Sequence, residues 1–138
     1  MVSCDTSFLV SLYLLDTHTP KARAKLRQIR PPEELMLSPF HQYELPNAIR
    51  LSVSRGLRTA AAGETILAAF EADLASGYFA LPTCNLAIVL IEAKRLSASH
   101  TVTGGHRAFD ILHVAAALPQ NNRERRSFRF RRRRISHL

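Results

Sequence analysis

Three carboxylates stand where chemistry is commonly done in a mixed helix-and-strand chain. Asp5 closes the first apolar segment, Glu44 lies on the helix pattern after the second, and Asp110 opens a late helix pattern. In open α/β sheets, functional groups gather at the carboxyl ends of the strands. Carboxylates meeting there would suit Mg²⁺ or Mn²⁺, hard cations that prefer oxygen ligands. Such an ion can activate water and stabilise the leaving oxygen in phosphodiester hydrolysis. The same residues have plainer uses. Asp5 and Asp110 fall where a helix N-cap belongs, which on spacing alone is the commoner role. Glu44 could be an ordinary solvated helix residue.

The remaining reactive side chains form weaker patterns. His113 follows Asp110 by one helical turn and faces near it, a position more often structural than catalytic. His106 and Arg107 precede Asp110 on a loop where they could meet RNA phosphate or solvent. Six scattered histidines have no zinc-binding spacing, and Cys4 and Cys84 make no disulfide framework, so two free thiols in a reducing compartment are expected. Glu92 reads as part of a solvated helix face with Lys94 and Arg95.

The elements that must position these residues follow from caps and periodicity. A strand ending near Cys4 runs into a helix from about Ser7, and "TPKARAKLRQIR" reads as a helix with a cationic outer face. "ELMLS" reads as a second strand, closed by Ser38-Pro39, with a helix from there to Arg55 and a stop at Gly56. Pro46 lies inside that helix and is expected to kink it, at roughly 3 kcal/mol unless packing accommodates it. A helix over 59–76 precedes a third strand candidate, "YFALP". A mostly buried helix, "NLAIVLIEAKRLSAS", then leads through a loop at Thr103-Gly104-Gly105 to the helix "DILHVAAAL". Strands alternating with helices imply a layered α/β fold with a parallel sheet.

Charge divides the chain in two. The net charge of the 138 residues is +8, yet residues 1–119 hold 11 basic and 10 acidic side chains. Residues 120–138 hold eight arginines against Glu124 alone. A domain over 1–119 and an Arg-rich tail over 120–138 are therefore expected. No cationic leader follows Met1, and the run from Phe8 to Leu15 is too short to span a bilayer, so a cytoplasmic protein without a membrane segment is expected.

The segments "CDTSFLVSLYL", "SPFHQYELPNAIRLSVSRG" and "LSASHTVTGGHRAFDILHVAAAL", in that order, resemble a PIN domain of the kind found in VapC-type toxin ribonucleases of bacterial toxin–antitoxin pairs. The resemblance covers roughly residues 1–118, and "RAFDILHVAAAL" is its most distinctive part. It implies a Rossmann-like three-layer α/β/α sandwich around a central parallel sheet. It also implies a Mg²⁺- or Mn²⁺-dependent endoribonuclease that cleaves single-stranded RNA to 5′-phosphate and 3′-hydroxyl ends. Asp5, Glu44 and Asp110 match the first three acidic positions of that family's catalytic and metal site. Thr6 and Ser7 match the small hydroxyl positions beside the first, and Arg107 stands where it could contact RNA. A cognate antitoxin and a homodimer are the partners implied.

The C-terminal end departs from that pattern. Where the family has a further strand ending in a fourth acidic residue, this chain has "RSFRFRRRRISHL", so the C-terminal strands are altered or missing. "SFRF" alternates as a strand does and is a candidate for the place of that further strand; an RNA-binding arm and a solvated tail are the other readings of the segment. A shifted reading frame near codon 119 is favoured, because the break falls inside the domain. The expectation is a ribonuclease weakened by the lost acid; the alternative is a catalytically inactive remnant that binds RNA or an antitoxin.

Overall fold

The computed structural model describes residues 1–31 and 33–118. The Arg-rich segment, its "SFRF" strand candidate and the boundary expected at 119 lie outside the described residues. Two short strands, β1 (Val2–Ser3) and β2 (Leu35–Met36), pair in parallel with Val2 opposite Leu35. Helices α1 (Thr6–Tyr13) and α2 (Thr19–Leu26) connect them. Beyond β2 come α3 (Pro39–Ser54), α4 (Ala60–Ala75), α5 (Leu86–Gly104) and α6 (Ala108–Ala117).

Local signals explain most of these boundaries. The Asp5 carboxylate accepts a hydrogen bond from the Phe8 amide at 3.0 Å, an N-cap that starts α1. Thr59 caps α4 and Asn85 caps α5 in the same way. α5 runs several residues past the expected loop and stops at Gly105, whose φ of 63° is the left-handed turn that glycine makes without a Cβ clash. α3 continues through Pro46, which is buried within it.

The expected three-layer sandwich around a central parallel sheet is not what forms. The described chain is mostly helical, with a two-stranded parallel sheet. "YFALP" supplies one further bridge, between Ala80 and Met36, rather than a strand. The physical reason lies at the strand ends. Asp5 caps α1 two residues after Ser3, and Ser38-Pro39 opens α3 two residues after Met36, so each ladder is cut short. Pro82 has no amide hydrogen to extend the pairing begun at Ala80.

Two apolar clusters hold the elements together. The larger joins Leu9, Leu12, Leu35, Leu37, Leu45, Ile49, Phe70 and Phe79 across α1, β2, α3 and α4. The smaller belongs chiefly to α5 and α6, through Val89, Ala93, Ile111, Ala115 and Ala116, with Phe40 of α3 packed against it. α6 also packs against β1. Among the described residues, no helix is long and apolar enough to cross a membrane.

Phe70 is the largest fully buried side chain, set edge-on to Tyr13 at 5.4 Å between ring centroids. Truncation to alanine is expected to cost about 3–5 kcal/mol, much of the stability of a small domain. Urea unfolding of Phe70→Ala measures it, and a loss below about 1 kcal/mol would show that the larger cluster is not where stability resides.

Candidate functional site

α3 presents His41 and Glu44 three residues apart, hence on one face of the helix. That face meets the chain just after β1. His41 Nε2 lies 2.8 Å from the Cys4 carbonyl oxygen, and the Thr6 hydroxyl donates to Glu44 Oε2. The two residues that flank Asp5 are thus both held by α3. α6 supplies the third side: His113 Nε2 lies 2.7 Å from Glu44 Oε2 and 3.2 Å from Thr6 Oγ1. The ring of His113 also rests against that of His41, with centroids 4.1 Å apart, and meets the edge of Phe40.

The hydrogen bonds fix the state of His41. A carbonyl oxygen only accepts, so Nε2 carries the proton given to Cys4. Nδ1 must then accept, and it takes the Ser38 amide at 3.0 Å and the Ser38 hydroxyl at 2.9 Å. His41 is fully buried and uncharged in this arrangement. Burial holds its pKa below the ordinary histidine value, helped by the neighbouring His113; the Cys4 carbonyl, Glu44 and Asp5 pull the other way. Burial also pushes the Cys4 thiol up to about 12, with Asp5 adding to the rise. A thiol in that state is a poor nucleophile at neutral pH.

The sequence-derived candidates take distinct places. Asp5 is the cap of α1, and Glu44 is the centre of the contact just described. Asp110 sits at the third position of α6 rather than at its cap, where its carboxylate accepts from the Arg107 amide at 3.4 Å. It lies one turn before His113 on the same face of α6, so the α6–β1 packing brings all three acidic segments to one end of β1. Of the hydroxyl pair, Thr6 joins the contact and Ser7 is exposed. Arg107 is exposed where α6 begins. Glu92 is taken by Arg95 on the surface of α5.

Carboxylates are the right kind of donor for Mg²⁺ or Mn²⁺. Among the described residues, however, no three His, Cys, Asp or Glu side chains stand close enough to hold an ion. Asp5 and Asp110 are engaged with helix N-termini, and both hydrogen bonds to Glu44 fall on Oε2. As arranged, each of the three acids already has a partner within the protein, so holding an ion as the resemblance implies would require Asp5 and Asp110 to turn from the helix N-termini toward Glu44. In the sequence alone His41 passes unremarked and His113 reads as a structural histidine. The signal that could have found them is the paired spacing H-x-x-E at 41–44 and D-x-x-H at 110–113, each placing two polar groups on one helix face.

Compared with protein-family models, curated proteins and solved structures, the chain matches none of them. The resemblance to PIN-type ribonucleases rests on the motifs themselves.

Two outcomes follow from the buried groups. His41 binds its proton less readily when folded, so below about pH 6.5 the unfolded chain takes up more protons. The stability this residue contributes is full above that pH and declines as pH falls through it. The gap in urea midpoint between wild type and His41→Gln should therefore narrow from about pH 7.5 to about pH 5.5; a constant gap would contradict the buried neutral ring. Cys4 should react with a thiol reagent at pH 8 far more slowly in the folded protein than in urea, and equal rates would contradict its burial.

Proposed function

We propose that this protein is an endoribonuclease of the toxin type its motifs resemble, acting on single-stranded RNA through Asp5, Glu44 and Asp110. What carries the reading is the Thr6–Glu44–His113 contact, because it joins the three segments that hold the motifs. Those segments are far apart in sequence, with Thr6 and Glu44 separated by 38 positions and Glu44 and His113 by 69. Their meeting sets the Glu44 carboxylate beside the Thr6 hydroxyl, one residue after Asp5, with Asp110 one turn before His113 on α6, and this placement of the three acid-bearing segments is what supports work on a phosphodiester. Glu44 is half-buried with Oε2 held by two donors, which orients the carboxylate. Arg107, exposed one turn before the Asp110 carboxylate, is available to an RNA phosphate.

The reading takes its cation, Mg²⁺ or Mn²⁺, from the resemblance; such an ion supplies Lewis acidity and a more acidic water when bound. A cognate antitoxin and a homodimer belong to the same reading. A second reading, a catalytically inactive remnant that binds RNA or an antitoxin, is favoured by one observation: Asp5 caps α1, Asp110 accepts from the Arg107 amide and Glu44 is held by His113, instead of the three standing together.

Cleavage of a labelled single-stranded RNA separates the two. Cleavage supported by Mg²⁺ or Mn²⁺, stopped by a chelator and abolished in Asp5→Asn is expected. Asparagine caps a helix as well as aspartate does, so this variant should stay folded. Equal cleavage by wild type and Asp5→Asn would overturn the assignment of the acid. RNA binding without products at any metal concentration would select the inactive remnant.

A further inference from the structure

The side chains around β1 form a closed circuit. Cys4 and Thr6, on either side of Asp5, are gripped by His41 and Glu44 of α3. His113 of α6 completes the circuit, in tilted ring contact with His41 and hydrogen-bonded to Glu44. Each member has its freedom removed by another. His41 is locked by the Cys4 carbonyl on one nitrogen and by Ser38 on the other, so its ring is a fixed surface. His113, only 6% exposed, lies on that surface with Phe40 at its flank. Its Nε2 is aimed at the Glu44 oxygen, and its Nδ1 has no hydrogen-bond partner among the described residues. The ring is therefore held by packing on one side and by Glu44 on the other.

We propose that His113 is a positioning residue: backed by His41, it fixes the Glu44 carboxylate relative to Asp5 by donating from Nε2 to Oε2. This holding role rests on hydrogen bonds and packing; its consequence for cleavage rests on the ribonuclease reading given above. His113 does not meet substrate, since it is buried and turned to the oxygen that Thr6 also holds. Glu44 Oε1 is left as the oxygen that can act. Because Asp110 precedes His113 by one turn on the same face, the hydrogen bond that orients Glu44 also sets where α6 carries Asp110. Where such a carboxylate serves a metal-dependent site, losing the donor that orients it typically costs about 10–100-fold in activity.

The test turns on which atom donates. In His113→Gln the side-chain amide nitrogen can reach the place of Nε2; in His113→Asn it stops one bond short, and in His113→Leu there is no donor. RNA cleavage by the full chain should fall in kcat by about 10–100-fold for Asn and Leu, with KM changed less than about threefold, while Gln restores most of the rate. A role in packing alone would rank Leu best and would not separate Gln from Asn. Circular dichroism identifies any variant that does not fold, and the Gln–Asn pair decides if Leu is lost.

A readout free of catalysis comes from two-bond nitrogen–proton NMR spectra of the histidine rings. The His113 Nε2 signal, identified by its loss in His113→Gln, should move when Glu44 is changed to glutamine, while the His41 pattern of a protonated Nε2 and an accepting Nδ1 persists. Equal kinetics for the Gln, Asn and Leu variants, or a His113 signal indifferent to Glu44→Gln, would overturn the proposal. A wild-type protein that cleaves nothing would remove the ribonuclease reading, and the NMR shift would then decide the positioning role alone.

Discussion

The Glu44 carboxylate receives two donors at one oxygen, and the relative placement of α1, α3 and α6 depends on that convergence. Burying an imidazole or a carboxylate is unfavourable unless its hydrogen bonds are replaced. Here His113 Nε2 and Glu44 Oε2 satisfy each other and Thr6 adds a second donor to the carboxylate, while His113 Nδ1 has no partner among the described residues. Displacing any one helix would strand a buried polar atom, so the contact selects a single arrangement of helices whose apolar faces alone would tolerate several.

That selection matters because the two apolar clusters are largely separate. α5 and α6 bury their small residues mainly against each other, while α1, α3 and α4 close around Phe70 and Ile49. Apolar packing is non-directional and proportional to area. It can hold the α5–α6 pair near β1 without fixing its rotation. The tilted His41–His113 ring contact and the His113–Glu44 hydrogen bond add the missing direction. His41 is suited to this part because its Cys4 and Ser38 bonds determine both ring nitrogens.

The difference from a three-layer sandwich arises at particular residues. "YFALP" has the composition of a strand, but a strand exists only when a neighbour offers a ladder, and Ala80 finds one partner, Met36. β1 and β2 are each cut to two residues by the cap that follows. The helices were far more legible, since a cap and a periodicity are local properties. α4 begins at the Thr59 cap and α5 at Asn85, as their residue types suggest. α5 outran its expected end because Thr103 and Gly104 continue the helix until a left-handed glycine is required at Gly105.

Taken by itself, the sequence determined most of the helical segments, the capping role of Asp5, and the concentration of positive charge in residues 120–138. These depend on residues within about a turn of one another, where spacing and side-chain type suffice. Only the tertiary structure decided that Thr6, and not Ser7, faces Glu44, and that His113 rather than Asp110 is the α6 residue that touches it. Contacts across 38 and 69 residues depend on how helices rotate against a shared strand, and no local pattern encodes that rotation.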